Sequence, residues 1–292
     1  MTAAPLSRRI APWSLMLLAV FWGSTFFSIK GLLGALPAAD LLAVRFTIST
    51  AILVVVLHRS WRMSRTTLLR GVVLGVVYGS AQLLQTVGLG HTSASISGFL
   101  TGLYVVFTPV IGLVAFRVRV RGVVWAGVGL ALVGLGLLAL RPGPGGLGIG
   151  YGDLLTIACA VIYAAHIALL GHWSTPGNAG SLTVTQAVAM TVVFWVAALP
   201  GGVQLPQGPV PWLWMLYLAT FCGAAAIFLQ TWAQGYVPAT RASVIMCSEP
   251  LWATFFAILF GGEGLTIRFV IGAAAILAAM YVVIRAPGRT EG

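Results

Sequence analysis

A chain of 292 residues that is 59% hydrophobic and only 7% charged, with a mean hydropathy of +1.01, carries more apolar surface than a water-soluble domain can hide. Sixteen basic residues against five acidic ones give a formal charge of +11. The basic residues fall in short links between apolar runs, which suits anionic lipid headgroups better than nucleic acid.

Crossing a hydrocarbon core takes about 20 helical residues. That length predicts ten transmembrane helices, at 12–29, 38–57, 70–89, 93–116, 121–140, 151–171, 182–199, 211–234, 240–260 and 266–285. The period-two alternation of barrel strands is absent, so the expectation is an all-α integral membrane protein. The first run follows Arg8-Arg9 in the manner of a signal peptide. It is long enough to span, another span follows, and no small-x-small cleavage site is evident, so it reads as helix 1.

Helix 2 carries Arg45 inside an apolar run. Helix 3 aligns Tyr78, Gln82 and Gln85 on one face, and helix 4 aligns Ser97, Thr101, Tyr104 and Thr108 at i, i+4, i+7 and i+11. Helix 6 aligns Thr156, Cys159, Tyr163 and His166. Lipid would leave such stripes unsatisfied, so they are expected to face inward, either onto a cavity or into dry helix packing. Between helices 5 and 6 the segment from Arg141 to Asp153 is too rich in glycine and proline to hold a helix, and it lacks the Gly-Lys-Ser/Thr ending of a phosphate loop. It divides the chain into a first half at 1–141, an extracytoplasmic linker at 142–152 and a second half at 153–292.

The halves echo each other. Ala81-Gln82-Leu83-Leu84-Gln85-Thr86 returns as Ala226-Ile227-Phe228-Leu229-Gln230-Thr231, a shift of 145, whereas a shift of 141 places Trp22 on Tyr163, Arg45 on Gln186 and Pro109 on Pro250. Five spans per half force the copies to insert upside down relative to each other, the skeleton of alternating-access carriers. With both termini inside, twelve basic residues face the cytoplasm and three the outside, with Arg45 left in a span, as the positive-inside rule requires.

At this point the chain resembles the EamA family of the drug/metabolite transporter superfamily. The residues that carry the resemblance are Phe21-Trp22-Gly23-Ser24-Thr25-Phe26, Ala43-Val44-Arg45-Phe46, Gly98-Phe99-Leu100-Thr101-Gly102-Leu103-Tyr104 running to Thr108-Pro109, and Ser248-Glu249-Pro250-Leu251 followed by Gly261-Gly262-Glu263. The resemblance implies ten helices in two inverted repeats and movement of small metabolites, often outward. Among relatives, the chain is most similar to amino-acid exporters, including the YddG-like aromatic branch. It departs from the family where an acid often follows helix 4; Arg117-Val-Arg119-Val-Arg121 stands there instead.

The expected function is therefore secondary export of amino acids, including aromatic or other hydrophobic ones, or of similar small metabolites across a bacterial inner membrane. A carrier for drug-like amphiphiles or sugar derivatives, and a passive channel, are the alternatives. The expected cavity comprises Trp22, Thr25, Tyr78, Gln82, Gln85, Phe99, Thr101, Tyr104, Tyr163, His166, Gln230 and Trp232. Glu249 and Arg45 are coupling or structural charges, and Pro109 and Pro250 are matched hinges. Neither a Ser-His pair, nor paired aspartates, nor a metal-ligand cluster is evident, so no enzyme, metal or cofactor is expected. Cys159, Cys222 and Cys247 read as packing residues. The partners expected are a small-molecule substrate and the bilayer, with no nucleic acid and no obligatory protein.

Overall fold

A computed structural model describes residues 6–61, 63–92, 94–118, 120–139, 150–261 and 267–285. Most of the 142–152 linker, together with Arg62, Arg119, Arg141, Glu263, Arg289 and Glu291, lies outside them. The described residues form helices and turns with no β-strand. In chain order the helices are α1 (Leu6–Leu33), α2 (Ala38–Val56), α3 (Arg65–His91), α4 (Ala94–Gly102), α5 (Tyr104–Phe116) and α6 (Gly122–Ala139). There follow α7 (Tyr151–Trp173), α8 (Ala179–Ala198), α9 (Pro209–Ala219), α10 (Ala226–Gln234), α11 (Ala239–Met246), α12 (Glu249–Gly261) and α13 (Ile267–Arg285).

Eight stretches among the described residues are long and apolar enough to cross a bilayer. Five are α1, α2, α3, α7 and α8 with its exit to Gly201; three more arise where α4 with α5, α9 with α10, and α11 with α12 run on as pairs. The two remaining expected spans appear as shorter apolar segments, Gly122–Leu137 and Val270–Arg285.

The three paired stretches are interrupted for identifiable reasons. Between α4 and α5 the backbone tightens at Leu103, whose N–H bonds the Leu100 carbonyl. Between α9 and α10, Thr220–Ala225 forms a π-helical turn. Between α11 and α12 the Ser248 N–H bonds back only three residues, to Ile245. Pro250 then falls in the first turn of α12, where its missing N–H costs nothing. Pro109, by contrast, lies inside α5. The two prolines that align in sequence therefore occupy unlike settings, and the first half breaks six residues before its proline.

The largest packing surfaces join the two halves. α3 lies along both α7 and α8, α2 along α8, α1 along α12, and α6 along α13. The packing is reciprocal: α1 meets α10 and α12, while α7 meets α3 and α5. Small residues make this approach possible. A Cβ on Gly75 would collide with the Gln186 carbonyl of α8, and one on Gly23 would sit 2.5 Å from Trp252 Cβ and 2.8 Å from the Glu249 carbonyl. The stripes expected to face inward are buried, including Ser97, Thr101, Tyr104 and Thr108. Apolar side chains such as Val55, Val114 and Leu213 point outward, as they do against lipid.

Contacts define two ends of the bundle. At one, Lys30 donates to the Thr92 carbonyl at 2.8 Å, the Thr92 hydroxyl donates to Asp153 at 2.7 Å, and the Gln204 N–H donates to Asp40 at 2.9 Å. The other gathers Arg59, Arg65, Arg70, Arg117, Arg121 and Arg241 on the turns that flank α2, α3, α5, α6 and α11. Among the described residues the basic groups are thus strongly sorted by end.

Candidate substrate site

At mid-bundle α1, α2, α3, α4, α5, α7, α10 and α12 border a small cavity of about 30 Å³. Its lining comprises Trp22, Thr25, Arg45, Tyr78, Gln82, Gln85, Thr101, Tyr104, Tyr163, Ile167, Gln230 and Glu249. That volume is room for about one or two water molecules.

One wall is a closed polar network. Gln82 Nε2 donates to Gln85 Oε1 at 3.2 Å and to Thr86 Oγ1 at 3.3 Å. The Tyr163 hydroxyl lies 2.9 Å from Gln82 Oε1 and 3.2 Å from Gln85 Oε1. Gln85 Nε2 donates onward to Thr101 at 3.0 Å. These groups sit one or two turns apart on α3 and face α4 and α7, so each amide satisfies a neighbour that lipid could not. Tyr78 caps the wall, with Tyr163 edge-on at 5.3 Å and Trp22 at 6.4 Å between ring centres.

The opposite wall is left open. The Gln230 and Glu249 side chains border the cavity without a side-chain hydrogen bond to the described residues, and the buried Tyr104 hydroxyl has no partner among them. By count along the span Glu249 is a mid-helix residue, but the structure makes it the opening residue of α12. Its carboxylate therefore sits at the break between α11 and α12, where the Ser248, Leu251 and Trp252 N–H groups are already paired and residue 250 is a proline. Arg45 reaches across to the π turn: Nε donates to the Leu218 carbonyl at 3.3 Å and Nη2 to the Cys222 carbonyl at 2.9 Å. Ser49, one turn along α2, lies 2.8 Å from the Ala219 carbonyl. A π turn frees carbonyls from the helical ladder, and these two side chains satisfy them. Arg45 Nη1 is buried without a partner among the described residues.

Nine of the twelve residues expected to line a cavity do so, and both charges join them. Phe99, His166 and Trp232 do not. His166 bonds Gln186 at 3.1 Å and packs edge-on against Tyr78 at 5.0 Å. Trp232 packs against Tyr236 at 5.2 Å, and Phe99 packs against the core partly buried. Ile167 lines the cavity unpredicted; four residues after Tyr163, it shares that residue's face, but an apolar residue in an apolar helix gives no signal. The repeated Leu-Gln-Thr segments differ in their surroundings. Gln85 is engaged with Gln82, Tyr163 and Thr101, whereas the Gln230 side chain makes no side-chain hydrogen bond with the described residues and Thr231 receives Gln186 Nε2 at 2.6 Å.

Towards the arginine-rich end lies a larger vestibule of about 330 Å³, bordered by Thr108, Phe116, Ala168, His172, Gln234 and Ala239 among others. His172 stacks on Phe116 at 4.6 Å in its lining.

The sequence matches the EamA-like transporter family over residues 9–140 and again over 150–285. An uncharacterized transporter of Archaeoglobus fulgidus is 30% identical over 281 residues, spanning 96% of this chain and 88% of that protein. A second uncharacterized transporter of the same organism is 22% identical, over 94% of this chain and 98% of its own. A solved structure, described only as the crystal structure of a protein, superposes with a TM-score of 0.75 at 19% identity, covering 96% of each chain. That likeness concerns the fold.

Proposed function

Because the chain belongs to the EamA-like transporter family and is a multi-pass membrane transporter, we propose that it exports amino acids or closely similar small metabolites by alternating access through the central cavity. The observation that carries this reading is a membrane-embedded cavity walled by aromatic rings and unpaired polar groups, Gln230, Glu249, Arg45 Nη1 and the Tyr104 hydroxyl. Unpaired polar groups at such depth are costly unless they meet a ligand or water. Among the described residues the cavity lining carries a single carboxylate, not the ring of charges that an inorganic-ion filter uses.

In this reading the ten apolar segments are ten spans in two inverted five-helix repeats, 1–141 and 153–292, with both termini in the cytoplasm of a bacterial inner membrane. The basic end is the cytoplasmic one. The vestibule then opens inward, while the Gly23 crossing of α1 on α12 and the Lys30–Thr92–Asp153 chain hold the outer side shut. Substrate climbs from the vestibule past Phe116 and His172 to the cavity. Binding draws the inner ends of α5, α7 and α11 together and releases the outer contacts. The breaks at Leu103 and at Cys247–Ser248 supply the bending points.

The test is counterflow in proteoliposomes preloaded with each of a panel of L-amino acids. Uptake of label driven by at least one amino acid, aromatic or branched ones foremost, is the expected result. Exchange of none of them refutes amino-acid export, and the YddG-like aromatic specificity falls if only small polar ones exchange.

A further inference from the structure

The two charges of the central cavity are not each other's partner. Arg45 commits Nε and Nη2 to the Leu218 and Cys222 carbonyls, and Nη1 remains unpaired and buried. Glu249 is 5% exposed, borders the same cavity and makes neither an ion pair nor a side-chain hydrogen bond with the described residues. One positive and one negative group, each with unspent capacity, therefore face a single compartment walled by Trp22 and Tyr78.

We infer that this compartment recognises a zwitterion by both of its charges at once: the ligand carboxylate takes Arg45 Nη1, and the ligand ammonium takes the Glu249 carboxylate. The assignment rests on the transport reading given above and specifies the substrate class within it. Its physical basis is charge balance in a poorly solvated space. A zwitterion adds no net charge to the cavity and completes both partners. A simple amine leaves Arg45 unpaired, and a simple carboxylic acid leaves Glu249 unpaired, which is the costly arrangement in a low-dielectric site. The free Tyr104 hydroxyl and Gln230 amide stand by to complete the remaining hydrogen bonds.

The experiment uses proteoliposomes of the full chain and two sets of matched probes: L-phenylalanine with phenethylamine and hydrocinnamate, and L-leucine with isopentylamine and isocaproate. Each set keeps one side chain and removes the carboxylate or the ammonium. In the wild-type protein the amino acids exchange, and the single-charge analogues compete about ten- to a hundredfold less well, the worth of one charge-assisted hydrogen bond. In Glu249→Gln the order shifts toward hydrocinnamate and isocaproate, because an uncompensated Arg45 now prefers a monoanion. In Arg45→Gln it shifts toward the amines. A reversal of preference is something a misfolded variant cannot produce. Arg45→Gln also removes a brace from the π turn, so the wild-type order and Glu249→Gln decide the outcome. If amino acids exchange but their single-charge analogues compete equally, or Glu249→Gln keeps the wild-type order, the zwitterion inference is overturned and amino-acid export stands. If amines or sugars exchange and no amino acid does, both fall.

Discussion

Replacing Gly75 by alanine drives a methyl into the backbone of α8. The added Cβ would collide with the Gln186 carbonyl and lie 2.6 Å from Ala189 Cβ and 3.0 Å from Gln186 Cα. Two of those three atoms belong to backbone and cannot rotate away, so α3 must lift off α8. Overpacking of this kind costs about 1–3 kcal/mol. Displacing Gln186 also loosens its bonds to His166 at 3.1 Å and Thr231 at 2.6 Å, each worth about 1 kcal/mol. Against this, alanine improves helix propensity by up to about 1 kcal/mol. The expected net is a loss of about 1–3 kcal/mol, read as a lower unfolding midpoint of the purified protein by fluorescence-detected gel filtration after heating. Gly79→Ala meets only Val193 side-chain atoms within 3.4 Å, at 3.3 and 3.4 Å, and should cost less. Gly136→Ala meets nothing within 4 Å and should be neutral or slightly stabilising. A Gly75→Ala protein that melts at or above the wild type, with Gly136→Ala unchanged, refutes the claim that α3 and α8 are in backbone contact.

Three further outcomes are expected. Tyr163→Phe leaves Gln82 Oε1 without its donor and should cost about 1–3 kcal/mol; adding Gln82→Leu should then cost less than it does alone, a non-additivity that a double-mutant cycle on melting midpoints measures. Arg45→Lys keeps the charge but loses the fork to the Leu218 and Cys222 carbonyls, so counterflow should fall at least about tenfold while membrane expression persists; full activity would show that charge alone suffices. In a cysteine-free background, Lys30→Cys should react with an impermeant maleimide in intact spheroplasts, and Arg59→Cys only after permeabilisation. The reverse pattern would invert the proposed orientation.

Much of the cavity is readable from helical spacing. Tyr78, Gln82 and Gln85 share a face of α3, and lipid forbids that face from turning outward, so they had to meet the Thr101 and Tyr104 face of α4–α5 and Tyr163 of α7. What spacing cannot read is where a helix stops being continuous. Glu249 belongs to a mid-span position by count, yet the break at Cys247–Ser248 makes it the first residue of a half-helix. The partners of Arg45 are equally hidden, because they are carbonyls freed by a π turn, and a backbone group leaves no trace in residue type. His166 and Trp232 share a periodic face or an echoed segment with cavity residues, but how far each helix leans on its neighbours decides that they pack elsewhere.

The π turn at Thr220–Ala225 looks, residue by residue, like any apolar stretch of a membrane helix. Its consequence is electrostatic. An i→i+5 turn holds one residue more than an i→i+4 turn, so deleting a single residue there would let an ordinary helix form with the segment that follows still in line. Gln230 would keep its place beside the cavity, but the carbonyls held by Arg45 and Ser49 would return to the helical ladder, and a buried guanidinium would lose its acceptors. One surplus residue in a neighbouring helix is what lets an arginine lie in mid-membrane.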